Sequence, residues 1–321
     1  MSAVARIVTT CQNGRGHPTM AGNREYMLAL FDRALAQRPD LVCFPETFTS
    51  LRAEDVVAEP VPGPTTDAFA AKARAHGCYA ICPIRTERDG EEWNSAVVIG
   101  RNGAIEGVYD KAQPVTTSND YTTVERGAMP GGDPPVFDLD FGRIGIQICF
   151  DAGFPETWEA LARAGAKAVF WPSAYDGGFS LEAYAYLHHY YIITSVQTER
   201  SRFIDPCGRI VAHTDRRMDL VRYDLNLDFV VCHYDFNQAI PDRITDAYPD
   251  RVKVTSYQED AHFLIEPTDP NMTSEQLRGE FGFESSAEYH DRHRKAYASL
   301  RKGDPAIPQM AAHRDRSMYT K

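Results

Sequence analysis

Short, fully apolar runs alternate along this chain with segments whose apolar residues recur every three or four positions. Residues 3–10 read as a first strand. After a polar loop at 12–22, Met27, Leu30, Phe31, Ala34 and Leu35 fall on one face of a helix, with Asn23 its expected cap. Pro39-Asp40 closes that helix. Residues 41–44 then form a short apolar strand of the kind buried on both faces of a parallel sheet. Thr65 or Thr66 is expected to cap a second helix, with Phe69, Ala70 and Ala73 inward and Gly77 at its end.

From Cys78 the period shortens to that of strands. Residues 79–85, 93–100 and 104–109 read as a meander, turned at Asp89-Gly90 and at Asn102-Gly103, a strong hairpin signal. Lys111 stands just past the last of these strands. Residues 115–135 have no periodicity, and a loop of that length inside a compact domain tends to be functional. A hairpin at 136–139 and 143–148 leads into Cys149. The chain breaks there, resumes as a helix with Trp158, Leu161 and Ala162 on one face, and returns as an apolar strand at 168–171. Strand, sharp turn and helix expose a side chain at a sheet edge while the next backbone N–H points into the same space. Cys149 is therefore read either as a nucleophile or as a small buried hydrophobe.

Further on, a helix at 181–191, a strand at 192–197, a hairpin at 201–212 and a strand at 227–234 are expected, then helices at 274–281 and 286–300 and a loose tail. Strands in two groups, each accompanied by helices, favour a four-layer α-β-β-α sandwich of two mixed sheets over one doubly wound sheet. The expected organisation is one domain over 1–260 and a C-terminal extension over 261–321.

Composition narrows the class. Hydrophobic residues make up 43% and charged residues 25%, the balance of a globular protein, and the formal charge of −11 argues against an extended nucleic-acid surface. The seven cysteines are scattered and odd in number, which fits reduced thiols in a cytoplasmic protein better than a disulfide framework. The N-terminal residues lack the pattern of a signal peptide, and no apolar run reaches membrane-spanning length. No G-x-G-x-x-G follows the first strand, so nucleotide binding has no motif behind it. No metal site and no cofactor are expected, because adjacent His188 and His189 on a helix do not face one site.

Three strings stand together: LVCFPETF with Glu46, GVYDKAQPV with Lys111, and IGIQICFDAGFPE with Cys149. Each ionisable residue lies just past a strand end, where open α/β sheets bind ligands. In this order, and with Glu125-x-Gly127-x-x-Pro130-Gly131 and Ser201-x-x-Ile204-Asp205-Pro206-x-Gly208, they resemble the nitrilase superfamily of carbon–nitrogen hydrolases. The resemblance runs from about residue 3 to 234. It implies Cys149 as nucleophile, Glu46 as base and Lys111 as oxyanion donor together with the N–H of Phe150. Glu125 is implied as the second glutamate that orients the lysine. Trp171, Ser173 and Tyr175 would line the pocket.

The implied reaction is hydrolysis of a linear amide through a Cys149 thioester. Phe150-Asp151 after the nucleophile departs from the Trp-Glu of nitrile-cleaving members, and Ala152-Gly153 lacks the basic pair of carbamoyl hydrolases. An N-carbamoyl amidohydrolase or a nitrilase remains the alternative, and a non-catalytic binding or scaffold subunit is the alternative outside enzymes. A substrate acid would need another anchor, with Arg200 and Arg202 the candidates. The expected partners are a small amide-type substrate and further copies of the chain in a homo-oligomer, without nucleic acid or membrane.

Overall fold

The structure, a computed structural model, describes residues 4–309 and 315–320. Two compact units emerge, one over Ala5–Leu225 and the other over residues 226–321 with the first four.

In the larger unit, β1 (Val4–Thr10), β2 (Leu41–Cys43) and β3 (Tyr79–Arg88) pair in parallel, linked by α1 (Met20–Leu35) and α2 (Pro64–His76). β4 (Glu91–Ile99) and β5 (Ile105–Asp110) extend the sheet as an antiparallel meander. The second sheet repeats this plan. β7 (Gly142–Ile146), β8 (Ala168–Ser173) and β9 (Tyr191–Val196) are parallel and linked by α3 (Pro155–Arg163) and α4 (Phe179–His188). β6 (Val136–Leu139) pairs antiparallel with β7 on one side, and β10 (Arg202–Ile204) and β11 (Ile210–His213) continue the other. β12 (Leu220–Asn226), which the sequence did not suggest, closes the first sheet beside β1.

The expected sandwich is thus present. Alternation along each strand sends one set of side chains outward under helices: Val8, Val42 and Val97 pack with Phe31 and Phe69 of α1 and α2. Val169, Trp171 and Ile192 pack with Trp158, Leu181 and Tyr184 of α3 and α4. The inner faces of the two sheets meet through hydroxyls as well as hydrocarbon. Thr9 donates to the Thr194 carbonyl at 2.5 Å, and Ser195 and Ser201 donate to the Thr10 carbonyl at 2.7 and 2.8 Å. Every one of these buried hydroxyls finds an acceptor, so the polar seam costs little and fixes the stagger of the sheets.

Two caps differ from expectation. Thr19, not Asn23, caps α1, its hydroxyl accepting from Gly22 N–H at 3.1 Å. Asn23 is buried inside the helix, where its amide donates to the carbonyls of Thr49 and Leu51 and ties down a neighbouring loop. For α2 the cap is Gly63 with Pro64 at the first position, and Thr66 reaches back to accept from Gly63 N–H at 2.8 Å. Short polar side chains one turn apart compete for these roles, and only the loop geometry selects among them.

The break between units falls at Leu225/Asn226, well before the expected 260. The reason is a three-stranded antiparallel sheet whose central strand joins distant segments. β13 (Val230–His233) and β14 (Val252–Tyr257) both pair with β15 (His262–Pro267). α5 (Ile240–Ala247), α6 (Ser274–Phe281) and α7 (Ser286–Leu300) accompany it over a core of Ile240, Ile244, Phe263, Leu277 and Phe281. α6 and α7 start at capping boxes, Thr273 with Gln276 and Ser285 with Glu288, which makes both legible in sequence. The expected tail falls partly outside the described residues, at 310–314 and 321, as does residue 3 of the first strand. Among the described residues no helix is long and apolar enough to cross a membrane.

This smaller unit carries a histidine cluster. His233 stacks on Tyr289 with ring centroids 4.4 Å apart and meets His262 at 5.3 Å and His290 at 6.1 Å. Burial, joined by repulsion from His262, His290 and His293 against the opposing pull of Asp235, lowers the His233 pKa to about 4. A base held neutral in the fold but free to protonate when unfolded stabilises the fold above its ordinary value of about 6.5, and that stability is lost as pH falls toward 4. Hydrogen exchange, corrected for intrinsic rates, is expected to lose protection in β13, β15 and α7 between pH 7 and 5, with the strands of Ala5–Leu225 unchanged. Equal protection at both pH values would contradict this.

Candidate active site

Glu46, Lys111 and Cys149 sit just beyond the C-terminal ends of β2, β5 and β7, and the sandwich brings these ends together. Glu46 and Lys111 are 3% and 1% exposed. The ammonium Nζ donates to Glu46 Oε1 at 2.9 Å and to Glu125 Oε2 at 2.7 Å. Glu125 arrives from the long loop, which is pinched at its base: Glu125 N–H donates to the Val115 carbonyl at 2.7 Å. The peptide of Glu46 is fixed from the second sheet, where Gln197 Nε2 donates to its carbonyl at 2.6 Å, and Thr47 turns left-handed immediately after.

Burial disfavours the Lys111 ammonium, but Glu46, Cys149 and Glu125 more than compensate, and its pKa stands above the ordinary lysine value. Burial likewise opposes ionisation of Glu125, yet Lys111 and the hydrogen bond from Asn94 hold its pKa below the usual carboxylate value. The resting site is therefore an ammonium clasped by carboxylate.

Cys149 has φ of +47°, an uncommon conformation for a side-chain-bearing residue and the mark of a sharp strand-to-helix elbow. Burial first, then Glu46, pushes its thiol up to about 12 against the pull of Lys111, Ala174 N–H and the Ser173 hydroxyl. The sulfur thus rests protonated, 8% exposed, within the electrostatic reach of both an acceptor and a cation.

The elbow is held from below. Trp171 Nε1 donates to the Cys149 carbonyl at 3.1 Å, and Trp158 Nε1 to the Asp151 carbonyl at 3.0 Å. The Asp151 carboxylate accepts from Ile148 N–H at 2.8 Å, Tyr109 O–H at 2.7 Å and Gln113 N–H at 2.9 Å. It therefore ties the turn that carries Cys149 to the segment flanking Lys111. Burial nevertheless raises its pKa to about 6, against these donors and Lys111.

Of the expected pocket residues, Ser173 lies at the sulfur and Tyr175 lies nearby, exposed on one side, its phenol pKa raised by partial burial and then by Cys149 and Glu46. Phe150 is partly exposed and meets Phe154 edge-on at 5.6 Å. Trp171 departs from expectation: it is wholly buried in the outer core, so it braces the elbow and does not wall the pocket. Arg202 is not an available anchor either, since it is buried and donates to Glu182 at 2.8 Å and to the carbonyls of Asp176 and Gly178. Arg200 is exposed in the turn before β10. His188 and His189 diverge, as the second is a left-handed helix end bonded to the Pro206 carbonyl. Among the described residues no group of three or more His, Cys, Asp or Glu side chains could hold a metal ion.

Asn94 and Asp151 were not singled out from sequence as parts of the site. Asn94 is the fourth residue of β4, and its amide meets both glutamates. The sequence signals were indirect: Asn94-Ser95 before a strand and Phe150-Asp151 after the cysteine belong to the strings that resemble the family, with no role implied for Asn94 or Asp151.

The sequence pattern of the carbon-nitrogen hydrolase family matches residues 7–231. The chain is 29% identical over 241 residues to a deaminated glutathione amidase of Synechocystis, covering 66% of this chain and 88% of that protein. Over a shorter stretch of 129 residues it is 38% identical to a beta-ureidopropionase of Arabidopsis thaliana, covering 38% of this chain and 31% of the relative. Among solved structures, Saccharomyces cerevisiae Nit3, a member of branch 10 of the nitrilase superfamily, superimposes with a TM-score of 0.62 at 18% identity, over 79% of this chain and 96% of its own.

The Asp151 strap has a measurable consequence. Tyr109→Phe removes one donor to the buried carboxylate and leaves Ala112 N–H, which donates to the phenol oxygen at 3.3 Å, without that acceptor. A loss of about 1–3 kcal/mol is expected in urea unfolding. An unchanged midpoint and slope would show that the strap bears no strain in the fold.

Proposed function

Because the chain belongs to the carbon–nitrogen hydrolase family of the nitrilase superfamily, we propose that it hydrolyses a linear amide through a thioester on Cys149. One observation carries the assignment of roles. Glu46 Oε1 receives both Lys111 and Asn94, whereas its buried Oε2 has no hydrogen-bond partner among the described residues. An acceptor oxygen kept dry and unengaged beside a protonated thiol is suited to take the proton as the sulfur attacks.

In the first half-reaction the Cys149 sulfur bonds to the amide carbon while its proton passes to Glu46. The oxyanion is met by the Lys111 ammonium and the N–H of Phe150. The tetrahedral adduct collapses, the C–N bond breaks, and the departing nitrogen takes the proton from Glu46 as ammonia or an amine. Water then attacks the thioester, giving a proton to Glu46. As the C–S bond breaks, that proton returns to the sulfur and the acid is released. Glu125 keeps Lys111 in line throughout, and Ser173 and Tyr175 bound the substrate. A thiol with so high a pKa is slow to ionise alone, so attack and proton transfer are coupled.

The amide reading draws support from the Synechocystis amidase, matched over most of its length. The local likeness to beta-ureidopropionase supports a carbamoyl substrate as the second reading. The same proposal describes a cytoplasmic, cofactor-independent homo-oligomer, with residues 261–321 contributing to assembly. All seven cysteines being free thiols agrees with a reducing compartment.

Incubation with a panel of linear amides is expected to give an acyl adduct in intact mass that Cys149→Ala lacks. Ammonia should be released without carbon dioxide, and turnover in the variant should fall by about a thousandfold or more. Carbon dioxide in step with ammonia would move the assignment to carbamoyl hydrolysis, and turnover by Cys149→Ala would end it. Light scattering on the full chain should return a multiple of the monomer mass, and a monomer at micromolar concentration would refute the assembly.

A further inference from the structure

The two glutamates and the lysine close into a ring only through a fourth residue. Asn94 Nδ2 donates to Glu46 Oε1 at 2.7 Å and to Glu125 Oε1 at 2.8 Å. Lys111 makes the complementary pair of bonds, to Glu46 Oε1 and Glu125 Oε2. The backbone of Asn94 contributes as well, since its carbonyl accepts from Lys111 N–H at 2.8 Å. Its side chain is fully buried, and among the described residues its Oδ1 has no hydrogen-bond partner, so the amide is oriented by its donor end.

Two carboxylates facing one ammonium in a dry site repel each other, and either could rotate about its last torsion to seek more donors. A single ammonium cannot prevent this, because its three protons turn freely. A planar amide with both N–H bonds spent on the two carboxylates can. We propose that Asn94 is a positioning residue of the reaction, which clamps Glu46 through Oε1 and thereby keeps Oε2 aimed at the Cys149 proton. The inference rests on the proposed role of Glu46 and adds a residue to it.

The mechanical logic sets a distinct signature. Removing the amide frees Glu46 to turn and takes from Glu125 a donor that holds its pKa down, so the acid limb of reactivity moves to higher pH. Substrate contacts are untouched, so KM should stay within about threefold while kcat falls by about tenfold or more, the scale of misplaced general-base catalysis.

Asn94→Ala, Asn94→Asp and Asn94→Ser serve as the variants, with urea unfolding and active-site titration to count folded, competent molecules. Cys149 reactivity is read with iodoacetamide across pH 5 to 10, using peptide mass to separate it from the other cysteines. This readout needs no knowledge of the substrate. The expected result is an acid limb displaced upward in Asn94→Ala, further in Asn94→Asp, which adds a third negative charge, and partly restored in Asn94→Ser, whose hydroxyl can donate one bond. A wild-type profile per competent molecule in Asn94→Ala would overturn the proposal, whatever the loss of stability. Failure of wild type on every amide, with the alkylation shift intact, would instead overturn the amide reading and leave Asn94 supported. Wild-type Cys149 inert to iodoacetamide at every pH would overturn both.

Discussion

A single ammonium, sealed from water and shared between two carboxylates, is the interaction on which the larger unit's architecture converges. Lys111 is 1% exposed, and an isolated charge there would be prohibitively costly. It is tolerable only because Glu46 arrives from the end of β2 and Glu125 from the long loop, both within hydrogen-bond distance. Three chain segments must therefore be placed to within a fraction of an ångström. The meander of β3 to β5, the pinch between Val115 and Glu125, and the Gln197 amide on the Glu46 carbonyl all serve that placement.

The second sheet supplies the group on which this charge acts. Its elbow at Cys149 is strained, at φ +47°, and is held by three buried polar braces: Trp171, Trp158 and Asp151. Asp151 reaches across to Tyr109 and Gln113, so the nucleophile candidate and the lysine are anchored through one carboxylate. The hydroxyl seam of Thr9, Ser195 and Ser201 links the sheets beneath. The Cys149 thiol is pushed up to about 12 by burial and by Glu46, against the pull of Lys111.

Much of this was legible in the residues. Parallel strands buried on both faces, such as 41–44 and 168–171, announce themselves as unbroken apolar runs. The helices between them announce themselves by period, and Gly77, with φ +61°, by its place at a helix end. Glu46, Lys111 and Cys149 stood out just past such strands, and their roles, with that of Glu125 in the long loop, came from the resemblance to the family. Asn94 was given no role, since it lies inside β4 and not just past the end of a strand. Trp171 was misplaced because strand period alone does not say whether a face meets a cavity or a helix. β14 and β15 went unseen because β14 is half-exposed and charged at Lys253, while the buried run of β15 holds His262 and Glu266 and pairs with β13 some thirty residues upstream.

The sequence by itself determined the local grammar: which segments are strands or helices, which polar residues stand at strand ends, and the order Glu, Lys, Glu, Cys that carries the resemblance to the family. Hydrophobic period and turn preference act over a few residues, and a chain reader has access to both. Tertiary structure alone decided which oxygen of Glu46 is spent and which is left open, and which tryptophan braces and which aromatic stays exposed. It also decided where the second unit begins. Those outcomes depend on contacts between residues tens of positions apart, and on burial, a property of the folded whole and not of any segment.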